Sequence, residues 1–108
     1  MKLIMTYDPE TEMVFQEFEQ TKVVKVYEIE DGEIVHSELV GTMAEGVEDI
    51  ISLILLMDAD GVLCGEIRPE TRALLDEEGV VYYSGFDEKA DDAVDSFING
   101  YVVFGPDD

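Results

Sequence analysis

The chain has 108 residues, the length of one ordinary domain, and 46% of them are hydrophobic. It carries 27 acidic and 6 basic residues, so its formal net charge is −21. A field of this sign repels phosphate groups, which argues against binding to nucleic acid or to anionic lipid. The acids are spread along the whole chain, a pattern that is typical of a solvated surface and also fits a basic protein partner.

The single cysteine, Cys64, excludes an internal disulfide and a paired-cysteine metal site. No apolar run reaches the roughly 20 residues of a membrane span. The first residues, MKLIMTYD, lack the long apolar region of a signal peptide. We therefore expect one domain over residues 1–108, located in the cytoplasm and without a membrane partner.

The first half of the chain has the composition of β-strands. Apolar, β-branched and aromatic residues dominate three short segments. The predicted strands cover residues 3–6, 23–29 and 33–40. The dipeptide Asp31-Gly32 between the last two strands is a strong signal for a two-residue hairpin turn. The segment DPETEMVFQEFEQT, which precedes the second strand, fits a loop, a short edge strand or one helical turn.

The second half alternates between helix and strand. Apolar residues at helical spacing in GVEDIISLILLMDA predict a helix whose last turns are covered on most sides. A second helix is predicted over RPETRALLDEEG, with Pro69 in its first turn and Gly79 just after its end. The third helix is predicted from about Asp87 to Asn99, followed by Gly100. Short strands are predicted in DGVLCG and VVYYSG, and YVVFGPDD is a tail or a last edge strand.

This order of elements predicts an α/β layer structure in which the later strands are parallel. We expect the core to contain the apolar strands and the inward stripe of each helix. The predicted core residues are Leu3, Ile4, Val24, Val26, Ile51, Ile54, Leu55, Val62, Leu63, Leu74, Val81, Val94 and Phe97.

The stretches MVFQEFEQTKVVKVYEIEDGEIV, ADGVLCGEIRPETRALLDEEGVVYYSG and DDAVDSFINGYV resemble the dinitrogenase iron-molybdenum cofactor biosynthesis family. The likeness spans nearly the whole chain and is that of a divergent member. Proteins of this family are small carriers and accessory proteins of nitrogenase cluster assembly. The resemblance implies a three-layer α/β/α fold of the ribonuclease-H-like type with a mixed five-stranded sheet. It also implies a non-enzymatic accessory or carrier-like function and an iron-sulfur or iron-molybdenum cluster as cofactor.

The family typically carries a Val-Ser-x-His-Phe-Gly-Arg segment before its hairpin. In an alignment on YEIEDG, the last four positions of that segment are Glu17, Phe18, Glu19 and Gln20. Its glycine-rich turn after the inner strand corresponds to CGEIRPE, which keeps Gly65. The resemblance therefore implies a ligand site formed by the loop at 17–20 and the turn at 64–69.

Cys64 lies at the carboxyl end of a predicted inner parallel strand, where open α/β sheets bind ligands. The following helix points its N-terminus at the same place. Cys64 is therefore the best-placed candidate ligand for a metal or cofactor. The alternative is that this free cysteine is simply a small buried hydrophobic residue.

Three further groups are candidates for binding. Glu17 and Glu19 offer oxygen ligands that suit a hard divalent cation, or they belong to a solvated loop. His36, on the second hairpin strand, is either a second soft ligand or a surface residue. Arg68 and Arg72, four residues apart at the start of a helix, either hold an anionic ligand or pair with nearby acids.

Enzymatic activity is not predicted. The sequence has no Ser-His-Asp arrangement, P-loop or dinucleotide fingerprint. The alternative to a carrier-like function is therefore an acidic protein-protein interaction module on the same fold, without a ligand.

Overall fold

A mixed β-sheet forms the middle layer of the fold, seen in a computed structural model that describes residues 1–99. Its strands are β1 Lys2–Asp8, β2 Met13–Val14, β3 Val23–Glu30, β4 Glu33–Gly41, β5 Gly61–Leu63 and β6 Tyr82–Tyr83. The order across the sheet is β4-β3-β1-β5-β6, and β2 pairs with β1. The neighbours β1, β3 and β4 are antiparallel, whereas β5 is parallel to β1 and β6 is parallel to β5. The five predicted strands are present, with the two-residue β2 as a sixth.

Helices cover both faces of this sheet. They are α1 Val47–Met57, α2 Pro69–Glu77 and α3 Ala90–Asn99. On one face, Ile54 of α1 and Leu75 of α2 share a core cluster with Ile4. On the other face, Val94 of α3 packs in a second cluster with Leu3, because neighbouring residues of a strand point to opposite sides. This is the three-layer α/β/α arrangement of the ribonuclease-H-like type, so the predicted fold is confirmed.

Two turns have the backbone geometry that the sequence predicts. Asp31 and Gly32 have φ values of 54° and 78°, and a type I′ hairpin turn needs a positive φ at both positions. Glu30 and Glu33 pair directly across this turn. Gly79, which follows the end of α2, has a φ of 74°.

The segment before β3 contains both of the ordered structures that its sequence allows. Met13 and Val14 pair with the end of β1. Residues Phe18–Gln20 form a single 3-10 turn, in which Phe18 is fully buried. The segment is therefore a short strand followed by one helical turn.

Helix α1 exposes part of the apolar surface that the sequence predicts as covered. Ile54 is only 4% exposed, but Leu55 and Leu56 are 45% and 83% exposed. A helix of an outer layer meets the sheet along one stripe, so its outward leucines stay in water. The prediction that Leu55 belongs to the core is wrong. None of the helices within residues 1–99 combines the length and the apolar character needed to cross a membrane.

Three other predicted core residues are less buried than expected. Val81, one residue before β6, is 46% exposed. In α2, Leu75 is fully buried and Leu74 only partly. The buried face of this helix is therefore shifted by one residue from the predicted one. Phe97 is also partly buried, and its ring centroid lies 4.9 Å from that of Tyr83. The nine remaining predicted core residues are all buried.

Helix α3 begins at Ala90, later than predicted. The residues just before it pair with the β2 region instead: Lys89 forms a bridge with Met13, and Val14 N donates to the carbonyl oxygen of Glu88 at 3.0 Å. The predicted stop at Gly100 and the segment YVVFGPDD lie outside the described residues.

Few of the surface charges are paired. Between residues of the range 1–99, ion pairs join Lys25 to Asp91 at 3.0 Å and, when the imidazole is protonated, His36 to Glu38 at 3.5 Å. With 27 acids in the chain, the folded state is therefore under electrostatic repulsion.

We expect the melting temperature to rise by several degrees as sodium chloride is added. Ions screen charges over ~10 Å at 0.1 M, and the repulsion that they screen is stronger in the compact state than in the unfolded chain. Thermal melts at increasing salt concentration measure the effect. A flat or falling melting temperature would show that pairing or bound cations already neutralise the acids.

Candidate functional site

The loop before β3 packs directly against the turn after β5. Glu66 N donates to the carbonyl oxygen of Gln16 at 2.7 Å, and Phe18 N donates to that of Glu66 at 3.2 Å. The contact forms a short parallel bridge between Glu17 and Glu66. The two segments that the family resemblance assigns to the ligand site are thus in contact, at the carboxyl end of an inner strand.

Gly65 makes this close approach possible. A Cβ atom at this position would lie 2.7 Å from the Cα atom of Gln16, closer than such atoms come in proteins. The side chain of Gln16 is itself held in place, because its Nε2 donates to the carbonyl oxygens of Phe86 at 2.8 Å and Val14 at 3.2 Å. The role that the structure shows for Gly65 is therefore the packing of the protein's own backbone.

We expect Gly65→Ala to lower the free energy of unfolding by ~1–3 kcal/mol, because the backbone must shift to relieve the overlap. Urea denaturation measures the change. Gly41→Ala is the matched control, since a Cβ atom there meets nothing within 4 Å, and its effect should stay within ~0.5 kcal/mol. Equal effects of the two substitutions would show that the loop and the turn are not closely packed.

Glu19 lies against the N-terminus of α2. Its Oε2 atom accepts a hydrogen bond from the backbone N of Arg68 at 3.0 Å. Partial burial raises the pKa of Glu19, but hydrogen bonds from the Thr71 side chain and the Arg68 backbone outweigh it and hold the pKa below its usual value. The carboxylate is therefore engaged in stabilising the helix start.

A cleft of about 400 Å³ opens where the loop and the turn meet. It is lined by Glu17, Glu19, Glu66, Ile67, Arg68 and Pro69. The side chains of Glu17, Glu66 and Arg68 are exposed there. The exposed charged groups are thus two carboxylates and a guanidinium, which suit hard cations or ionic ligands.

Cys64 lies beside this cleft but is closed off from solvent. Its exposure is 0%, and its Sγ donates a hydrogen bond to the carbonyl oxygen of Tyr83 at 3.6 Å. Burial raises the pKa of the thiol to about 12, against the smaller lowering by the guanidinium of Arg72. Since the thiolate is the form that binds metals and reacts, the geometry agrees with a small buried apolar residue.

Cys64 should react with iodoacetamide at neutral pH at least about 100-fold more slowly in the native protein than in denaturant. Burial blocks access, and the raised pKa leaves far less thiolate than an ordinary cysteine has. Mass spectrometry of timed samples gives both rates. Equal rates would place the thiol at the surface and restore it as a candidate ligand.

His36 is not brought to the cleft. It lies on β4 at the edge of the sheet, with β3 and β1 between it and β5. Its imidazole is exposed, 3.5 Å from Glu38 of the same strand. The structure therefore does not unite His36 with Cys64 or Glu17, and within residues 1–99 no three His, Cys, Asp or Glu side chains converge on one metal position.

The two arginines of the predicted pair point to different places. Arg72 donates from its guanidinium to Ser84 Oγ at 3.0 Å and lies 5.7 Å from the ring centroid of Tyr82. These contacts join α2 to the region of β6. Of the pair, only Arg68 lines the cleft, so the two do not form a shared anion site. The alternative, pairing with nearby acids, is not seen either, because the ion pairs formed within residues 1–99 include neither arginine.

Gln16 is the residue of this site that the sequence analysis missed. It supports the turn through its backbone and holds Phe86, 70 residues later in the chain, through its side chain. A single glutamine in a loop belongs to no motif. It occupies the variable position of the family's segment, directly before Glu17, and this place is the only signal that the sequence offers.

The fold and the paired segments define a class of small three-layer α/β/α proteins in which a loop and a turn meet beside the inner strand. The sequence model of the family described as dinitrogenase iron-molybdenum cofactor matches residues 1–100. The chain therefore belongs to this family. Among curated protein sequences, none matches it at a significant level.

Solved structures share the fold over almost the whole chain. The crystal structure of PH0822 has a TM-score of 0.84 at 20% identity and covers 93% of this chain and 90% of that one. A candidate dinitrogenase (mj0327) from Methanocaldococcus jannaschii has a TM-score of 0.75 at 19% identity, with 98% and 97% covered. A candidate NifB protein from Thermotoga (TM1290) has a TM-score of 0.67 at 17% identity, with 92% and 88% covered. At these identities the likeness shows the fold alone.

Proposed function

We propose that this protein is a non-enzymatic accessory protein of the iron-molybdenum cofactor family with a degenerate carrier site. The observation that carries the proposal is the contact between Glu17 and Glu66 beside a buried Cys64. The protein keeps the loop and the turn of the family's site in contact, but the thiol of Cys64 is not accessible there. A cytoplasmic location belongs to the same proposal.

The accessible donors at the cleft do not suit an iron-sulfur or iron-molybdenum cluster. Such clusters favour thiolate and imidazole ligands. The exposed donors are the carboxylates of Glu17 and Glu66, whereas Cys64 is buried and His36 is on the edge strand. We therefore expect any metal cargo to be held weakly and without Cys64.

The same residues support a non-enzymatic role. A cysteine nucleophile needs a base within hydrogen-bond distance. Cys64 instead donates to the main-chain carbonyl of Tyr83, and His36 has Glu38 of its own strand as its neighbour. Cys64 and His36 thus do not form a nucleophile-base pair.

Metal analysis after anaerobic reconstitution tests this proposal. The protein is incubated with iron, sulfide and molybdate, desalted, and analysed for iron, molybdenum and zinc beside the variants Cys64→Ala and Glu17→Gln. We expect a measurable content below one metal equivalent in the parent protein, the same content in Cys64→Ala and a lower content in Glu17→Gln. Stoichiometric metal that is lost in Cys64→Ala would contradict the degenerate site and identify Cys64 as a ligand.

An acidic interaction module without a ligand is the second candidate. It is favoured by the net charge of −21, since few of the described acids have a cationic partner. A basic protein would relieve this repulsion, whereas nucleic acid and anionic membranes would add to it. The metal experiment separates the two candidates, because a protein that retains no metal under any reconstitution condition favours the module.

A further inference from the structure

A groove between α1 and α2 is partly lined by apolar side chains. Its volume is about 320 Å³, and its lining includes Ile51 and Leu55 of α1 and Leu74 of α2. Leu55 is 45% exposed, and the adjacent Leu56 is 83% exposed. Exposed apolar side chains of this kind gain free energy when a partner removes them from water.

The rim of this groove is acidic. Glu48, at the start of α1, and Glu77 and Glu78, at the end of α2, line it and are exposed. No basic residue of the described range 1–99 is among its lining residues. None of these three acids takes part in the ion pairs formed within that range.

The C-terminal end of α2 carries negative charge, which is unfavourable at that end of a helix. A helix C-terminus is the negative end of the macrodipole and favours cations. In α2 the last turn has no basic residue, and the acids Asp76 and Glu77 occupy it, followed by Glu78 at the C-cap. A cationic group of a binding partner would be attracted both by these carboxylates and by the negative end of the helix dipole.

We propose that this groove binds a basic amphipathic helix of a partner protein. The apolar face of the partner helix rests on Leu55 and Leu74, and its lysines or arginines meet Glu48, Glu77 and Glu78. A third helix packs between two others by ridges into grooves, and its anchors recur at i, i+3 and i+4. A second copy of this chain is a poor occupant, because each copy has a net charge of −21 and would bring further negative charge to the groove.

The groove is separate from the cleft. Helix α2 begins beside the cleft with Pro69 and ends at the groove with Glu77, about 12 Å further along at 1.5 Å per residue. Partner binding in the groove therefore does not depend on whether the cleft holds a metal.

A synthetic helical peptide of about 18 residues, roughly five turns, tests the proposal. It has leucines along one face and lysines along the other, and its scrambled isomer has the same composition without an amphipathic face. We expect calorimetry to show binding of the amphipathic peptide at least about tenfold tighter than that of the scrambled isomer. The double variant Leu55→Ser, Leu56→Ser should abolish this difference.

Matched variants separate the groove from general charge attraction. Leu39→Ser changes a leucine of similar exposure, 53%, on the edge strand β4 and should leave the peptide affinity unchanged. Glu48→Gln with Glu77→Gln should weaken binding of the amphipathic peptide more than that of the scrambled isomer. Circular dichroism melts check that each variant is folded.

Three outcomes would overturn the proposal. The first is equal affinity for both peptides, which would reduce the interaction to net charge. The second is loss of the amphipathic preference in Leu39→Ser while Leu55→Ser, Leu56→Ser retains it. The third is a dimer in sedimentation velocity that dissociates in Leu55→Ser, Leu56→Ser, which would assign the groove to a second copy.

Discussion

Phe18→Ala should lower the free energy of unfolding by ~3–5 kcal/mol. The ring of Phe18 is 0% exposed and belongs to the core cluster that also contains Ile50 of α1. Its carbonyl oxygen accepts a hydrogen bond from Thr21 Oγ1 at 2.8 Å. Truncation leaves a cavity between the 3-10 turn and α1, which the hydrogen-bonded turn cannot readily close. Phe18, the one residue kept among the last four positions of the family's segment, therefore has a packing role in this structure.

Urea denaturation of the purified variant measures this loss, and Phe15→Ala is the control. Phe15 belongs to the same loop but is only partly buried, so its truncation should cost clearly less. An unfolding midpoint unchanged by Phe18→Ala would mean that the ring does not enter the core in solution. It would then be available to a ligand, as the family resemblance implies.

Ile54→Ala should cost ~2–5 kcal/mol of unfolding free energy. Ile54 is 4% exposed and lies on the stripe of α1 that faces the sheet, in the same core cluster as Ile4 and Val62. Removal of three carbon atoms leaves a cavity whose walls belong to the central strands β1 and β5, where the backbone has little freedom to move inward.

Leu56→Ala is the matched control for Ile54→Ala, because it truncates a side chain of equal size two residues away in the same helix. Leu56 is 83% exposed, so the substitution should change the unfolding free energy by no more than ~0.5 kcal/mol. Equal losses in the two variants would show that the rotational phase of α1 differs from the structure.

Local patterns were sufficient for much of the fold. The hairpin at Asp31-Gly32 and the boundaries of β3 and β4 depend on residues close together in sequence, so their signals are strong. The start of α2 at Pro69 and the position of Gly79 after its end follow from the backbone preferences of those two residues.

Periodicity was less informative about how widely a helix is covered. The apolar residues of α1 determine that it is a helix with Ile54 inward, but they do not determine that Leu55 and Leu56 face water. The exposure of a side chain depends on which other elements pack beside it, and that information lies elsewhere in the chain. The same reason explains why Leu75 rather than Leu74 is the fully buried leucine of α2.

The sequence by itself determined the family, the layer architecture and the two segments that meet at the cleft, because these depend on the order of elements and on motif positions. Only the tertiary structure decided that Cys64 is buried beneath them, that Gln16 fills the space left by Gly65, and that Arg72 turns to Ser84. Each of these outcomes depends on contacts between residues distant in the sequence. Burial and hydrogen-bond partners are set by such contacts, and they decide whether a residue is a ligand or part of the core.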